Sequence, residues 1–249
     1  QPGIILNWVS YLQTLKKENK LPKDLWITSS DDFASWGGGD TAYHNEDLED
    51  LIAAVDYISM HTYPFHNTHY NPAFWEITSE EAKDKTQKEL IDEAMLRARD
   101  FAIAQYNNVK KYMESLGVDK PIHIGETGWA TISNGYYGRK GSHAADQYKQ
   151  AKYYNLMRAW AKENGISCFF FEAFDEPWKE AHNAKGSENH FGLITVDGKA
   201  KYALWDAVDN GTFDGLTRNG VPITKTFNGL SENLYISVLP PNILELNPN

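Results

Sequence analysis

The run Pro121-Ile122-His123-Ile124-Gly125-Glu126-Thr127-Gly128-Trp129 carries an apolar strand straight into a carboxylate, a glycine turn and an indole. Strand residues facing inward fix the backbone beneath Glu126, and Gly128 allows a tight exit. Trp129 supplies a flat apolar face on which a pyranose ring packs through its C–H groups. These residue types suit catalysis on a sugar held against Glu126. The plainer reading is a solvated acid at a strand end, which α/β proteins carry often.

A second cluster has the same design. Cys168-Phe169-Phe170-Phe171-Glu172-Ala173-Phe174 is an aromatic run of strand length, and it ends in Asp175-Glu176-Pro177-Trp178-Lys179. Downstream, Glu188-Asn189-His190-Phe191-Gly192-Leu193 places one more acid among aromatics. Glutamates, a lysine and tryptophans gathered near strand exits suit recognition of a polyol better than they suit a core.

The elements that must position these groups alternate. Apolar residues at helical spacing predict a helix from Ile4 to Asn19, and Leu25 to Ser29 reads as a strand delivering Asp31 and Asp32. Asn45 caps a predicted helix through Val55, and the strand Tyr57 to His61 delivers Thr62, Tyr63, Pro64 and Phe65. Ser79 opens a long predicted helix to Leu116, stopped by Gly117, and the strand to Glu126 follows. A Gly/Tyr-rich loop, Asn134 to Gly141, leads to Ser142 as the cap of a helix to Asn164; the last long strand runs to Phe174.

Alternation of this kind predicts a parallel sheet covered by helices. The chemically equipped residues all fall at strand exits, which is the catalytic face of a (β/α)8 barrel. Four βα units make either an open doubly wound sheet or half of such a barrel. No glycine-rich phosphate loop follows a strand, which counts against the nucleotide-binding version.

Composition narrows the classes further. With 249 residues and 41% hydrophobic content the chain can bury a sizeable core, and eight tryptophans favour a sugar ligand over nucleic acid. A net charge of -10 repels phosphate backbones and anionic membranes, and a neutral polysaccharide is compatible with it. The single cysteine, Cys168, forms no internal disulfide and reads as a small buried hydrophobe. No apolar run is long enough to span a membrane. Gln1-Pro2-Gly3 running at once into a helical pattern gives the expectation that the chain begins inside a domain.

Taken together, Glu126-Thr127-Gly128-Trp129, His61-Thr62-Tyr63-Pro64-Phe65, Phe174-Asp175-Glu176-Pro177-Trp178-Lys179 and Glu188-Asn189-His190-Phe191-Gly192-Leu193 resemble family 17 glycoside hydrolases, the β-1,3-glucanases and laminarinases, in their bacterial form. The resemblance covers Ile4 to about Leu204. It implies a TIM (β/α)8 barrel of glycosidase type, with residues 1–209 supplying about strands 5 to 8 and 210–249 forming a C-terminal extension on the barrel or a lead into another module. It also implies a retaining endo-acting hydrolase of β-1,3-glucan, in which one carboxylate attacks the anomeric carbon while a second, about 5 Å away, acts as acid and then base.

By position Glu126 matches the family's nucleophile. Tyr63 would contact the sugar or the nucleophile, and Trp129 would line a subsite. Glu176, Lys179 and Glu188 would form an ionic network around the cleft, with Phe174 and Trp178 as further substrate contacts. The family's general acid sits on a Gly-Asn-Glu sequence that falls before Gln1. Asp31, Asp32 and Glu176 are internal candidates in positions where the family places no proton donor. The expected partners are therefore a β-1,3-glucan and the missing N-terminal half of the barrel, with neither nucleic acid nor a membrane span. No cofactor or metal is implied. A transglycosylase sharing the same glycosyl-enzyme, or a non-catalytic glucan-binding protein, is the alternative. A polymeric substrate implies export to the periplasm, outer surface or medium.

Other motifs read more plainly. His61, His66 and His69 match no common zinc spacing and suit a sugar cleft, and Asp31, Asp32 and Asp40 depart from a calcium-loop pattern. Tyr136 and Tyr137 fit sugar platforms and loop anchors equally well. Phe169 to Phe171 read as core packing, and runs such as Leu234 to Val238 as short strands or loops.

Overall fold

The computed structural model describes residues 2–244. Its main elements are α1 (Pro2–Lys17), β1 (Ser30–Asp32), α2 (Glu46–Ala54), β2 (Ile58–His61), α3 (Pro64–Tyr70), β3 (Ile77–Thr78), α4 (Ser79–Ala82), α5 (Gln87–Ser115), β4 (Ile122–Gly128), α6 (Gln147–Glu163) and β5 (Cys168–Phe171). The fold is α/β. One sheet has the order β1-β2-β4-β5, and the β1–β2 and β2–β4 pairs are parallel. Among the described residues no helix is long and apolar enough to cross a membrane.

Several boundaries follow local chemistry that hydrophobic periodicity does not register. Asn45 caps α2 as expected, its Oδ1 accepting from the Leu48 N–H at 3.1 Å. The long helix predicted from Ser79 is two helices. Thr78, not Ser79, caps the first through a reciprocal box with Glu81; Asp84 then turns left-handed at φ 67°, and Thr86 with Glu89 repeats the box before α5. Ser142 is not the cap of α6, because its hydroxyl is buried against Thr68 at 2.8 Å. Asp146 takes that role, accepting from the Lys149 N–H at 2.8 Å. The predicted strand from Leu25 begins only at Ser30, since Ile27 is tied to the Asp56 carboxylate and backbone and not to a strand ladder. Leu234 lies in a short helix, Ser231–Tyr235, where alternation predicted strand or loop.

The chain divides into two compact units. The first comprises 2–62, 102–127 and 161–169, and its core is built on Leu48, Ile52, Ile58, Met60 and Ile124. Phe169 belongs to it and is not core packing as the sequence suggests: strand alternation turns the ring outward, leaving it 67% exposed. The second comprises 63–101, 128–160 and 170–244, with Phe65, Trp75, Trp129, Tyr153 and Phe191 fully or almost fully buried. Within it the C-terminal segment is tied down by Gln87 Nε2 donating to the Val238 carbonyl at 2.8 Å and Lys149 Nζ to that of Leu239 at 2.6 Å.

Candidate active site

Glu126 owes its place to a bulge. Met60 pairs with Ile124, yet His61 pairs with Glu126, so Gly125 is the extra residue on β4. Only glycine fits there: a Cβ would lie 2.0 Å from Ser59 Oγ and 2.6 Å from Ser30 Oγ. The freed space holds a relay. Ser59 Oγ meets Ser30 Oγ at 2.8 Å, Ser30 Oγ meets His61 Nε2 at 2.7 Å, and His61 Nδ1 stands 3.5 Å from Glu126 Oε2. The backbones are pinned too, with Thr62 N–H donating to the Glu126 carbonyl and Phe33 N–H to that of His61. A part-exposed carboxylate at a strand exit, with an imidazole fixed against it, is placed to attack or to accept a hydroxyl proton. Asp31 and Asp32 instead bend onto their own backbone, accepting from the Asp32 and Ala34 N–H groups.

The second unit carries the other acids. Lys179 Nζ lies 3.2 Å from Glu176 Oε2 and 3.9 Å above the centroid of the Phe171 ring. Glu172, which the sequence hides inside an aromatic run, hydrogen-bonds Glu176. Burial first, and that shared bond second, push its carboxyl up to about 8, against the opposing pull of Lys179. Glu188 is also raised by burial, opposed again by Lys179, and its N–H donates to Glu180 Oε2 at 2.9 Å. Asp175 is held from below by the buried Lys201 ammonium at 2.6 Å, which also donates to Thr131 Oγ1 and the His190 carbonyl.

Tyr63 packs edge-on to Phe191 with ring centroids 5.9 Å apart, and Trp178 is 65% exposed. Phe174 lies beneath the Arg218 guanidinium at 4.3 Å. Trp129 corrects the sequence expectation. It exposes no surface, packs on Phe65 and Tyr153, and donates Nε1–H to the Ala144 carbonyl at 2.8 Å, so its ring is a core element and offers no face to a sugar. The three histidines are spoken for separately: His61 by Ser30, His66 by the Tyr137 hydroxyl at 3.2 Å, and His69 by stacking on Tyr136.

The model of the BtgE/BtgC glycoside hydrolase domain matches residues 8–192. The chain belongs to this family. The resemblance read from its motifs therefore holds at the level of the glycoside hydrolase family. A glucan 1,3-beta-glucosidase of Arthroderma benhamiae is 33% identical over 137 residues, covering 52% of this chain and 39% of that protein. A probable glucan endo-1,3-beta-glucosidase of Aspergillus flavus is 26% identical over 206 residues, covering 79% of this chain and 25% of that protein. The chain thus spans less than half the length of these relatives.

An endo-laminarinase from Formosa Hel1_33_131 is 61% identical with a TM-score of 0.97, covering 100% of this chain and 63% of that one. A family 17 β-1,3-glucanosyltransferase from Rhizomucor miehei shares the fold, with a TM-score of 0.54 at 20% identity over 82% of this chain and 57% of that one.

Proposed function

We propose that the chain is the nucleophile-bearing part of a retaining, endo-acting β-1,3-glucan hydrolase. The observation that carries this is Glu126 at the exit of a parallel strand, set by the Gly125 bulge against His61, in a chain 61% identical to an endo-laminarinase. Glu126 attacks the anomeric carbon and expels the leaving glucan, forming a glycosyl-enzyme that water then opens. The general acid, on this reading, lies outside the 249 residues and these supply about strands 5 to 8 of a (β/α)8 barrel. Two features support that reading. The parallel strands place their polar residues at the C-terminal exits, and the chain spans 63% of the laminarinase it resembles.

Tyr63, Phe174, Glu176, Trp178, Lys179 and Glu188 are assigned to substrate binding, Glu176 and Lys179 as an ion pair that holds polar partners for sugar hydroxyls. A polymeric substrate places the protein outside the cytoplasm. The test is reducing-end release from laminarin by the complete protein and its Glu126→Gln variant. Loss of about 10³-fold or more with glucan binding kept supports the assignment. A variant that still cuts at the parent rate removes Glu126 from the mechanism.

A further inference from the structure

The second unit holds a cavity of about 410 Å³ that no step above uses. Its walls come from the end of α3, the segment leading to β3 and the Gly/Tyr-rich loop, and include His69, Glu76, Asn134, Tyr136 and Lys140. The loop is locked by its own backbone. Ser142 N–H donates to the Tyr136 carbonyl at 2.8 Å and Gly141 N–H to that of Gly138 at 2.9 Å. A Cβ on Gly138 would stand 2.1 Å from the Ser133 carbonyl oxygen, and one on Gly141 1.9 Å from that of Tyr136. Asn242 Nδ2 adds a bond to the Gly141 carbonyl at 2.8 Å.

This locking separates the two adjacent tyrosines. Tyr137 is buried, packed on Phe65 at 4.3 Å, with its hydroxyl on His66: it is the anchor. Tyr136 stacks flat on His69, with centroids 4.0 Å apart and planes 7° from parallel, yet stays 59% exposed. Stacking on one face immobilises the ring and costs little of what it can offer elsewhere. The polar walls are also ordered in advance, since Asn134 and Asn183 exchange reciprocal side-chain bonds at 2.8 and 3.1 Å. One carboxylate and one ammonium leave the lining near neutral, which does not suit a phosphate or a polyanion.

A rigid, exposed aromatic face beside an amide, a carboxylate and an ammonium is the chemistry that recognises a neutral pyranose: C–H groups on the ring, hydroxyls on the walls. We propose that this cavity binds a hexopyranose unit of a glucan chain, with Tyr136 as the platform and Glu76, Asn134 and Lys140 as hydroxyl partners. The proposal rests on the reading of the protein as a glucan hydrolase. It treats the cavity as a hold on the polymer additional to the sugar units bound at Glu126.

The test uses the complete protein and laminarin. In a Glu126→Gln background, Tyr136→Ala should weaken laminarin binding in affinity electrophoresis by about tenfold, the equivalent of one aromatic–sugar contact. In the active background its kcat/KM should fall about tenfold more on laminarin than on laminaritriose. Asn134→Ala with Lys140→Ala, which spares the aromatic packing, should move both readouts the same way, so a misfolded Tyr136 variant does not decide the matter. Unchanged laminarin affinity and an unchanged ratio in both variants, in a protein that still cuts laminarin, overturn this site and leave the hydrolase reading standing. Absence of both glucan binding and cutting in the parent overturns both.

Discussion

His61 Nδ1 lies 3.5 Å from Glu126 Oε2 while its other ring nitrogen, Nε2, meets Ser30 Oγ at 2.7 Å. The imidazole is thus oriented from behind by a serine pair and presents one edge to the carboxylate. A fixed neighbour narrows the directions from which Glu126 can reach a reacting carbon, and displacement of about 1 Å can cost about 10²-fold in rate. His61→Ala should therefore lower kcat on laminarin roughly 10- to 100-fold and leave KM within a factor of a few. A change confined to KM would assign His61 to sugar binding instead.

The bulge makes a sharper prediction. Gly125→Ala introduces a methyl 2.0 Å from Ser59 Oγ, so the serine pair must part and release His61. Activity should fall about as far as in His61→Ala, since both remove the same support. Adding Ser59→Ala to Gly125→Ala opens room for the methyl and should recover part of the loss. Steady-state kinetics of the two variants and their parent check this, and a Gly125→Ala enzyme with parental kcat would dismiss the relay.

The strand to Glu126 was legible in the sequence because its two signals are local: apolar alternation within one strand and polar chemistry at its exit. Asn45 and Gly117 were legible for the same reason, as a side chain and a backbone conformation that act on adjacent turns. What stayed hidden depends on partners distant in sequence. The bulge exists only in the register of β4 against β2, and Ser30 and Ser59 give no sign alone that they meet across a glycine. The burial of Trp129 is not legible, because an indole after a strand exit looks the same whether the next loop covers it or not, and here the segment carrying Ala144 does. Glu172 is hidden because the phenylalanines around it carry the periodicity. Ser142 has the residue type and place of a cap, and nothing nearby announces that Thr68 claims its hydroxyl.

Glu172 gives a pH signature. Burial and the bond to Glu176 raise its folded carboxyl to about 8, above its value in the unfolded chain. Between the ordinary glutamate range and about pH 8 the folded state therefore holds a proton that the unfolded state has lost. The stabilisation is fully present below the ordinary range and disappears as pH rises through about 8. Glu172→Gln stays neutral throughout and keeps a donor for Glu176. The melting temperature of Glu172→Gln relative to wild type should accordingly climb as pH is raised from 5 to 8. Thermal scans across that window check it, and a difference that stays flat or falls would mean that Glu172 is ionised in the folded protein.

Lys201 and Asp175 test what holds the second acidic cluster in place. The ammonium is almost fully buried and donates to Asp175, Thr131 and the His190 carbonyl, so it ties the segment after β5 to those after β4 and around Glu188. Removing it leaves the buried Asp175 carboxylate without its ammonium, with the His190 Nδ1 3.6 Å away as the neighbour that remains, and such breaks cost roughly 3–5 kcal/mol. Lys201→Met should lower stability by about that much in denaturant unfolding of the complete protein. Asp175→Asn on top removes the stranded charge and should restore a substantial part, because the penalty belongs to the unpaired carboxylate more than to the lost attraction. Two losses that simply add would show instead that the pair is uncoupled and that each side chain matters through packing. Laminarin KM offers a second readout, since Glu176 follows Asp175 directly. It should rise in Lys201→Met and move back toward the parent in the double variant.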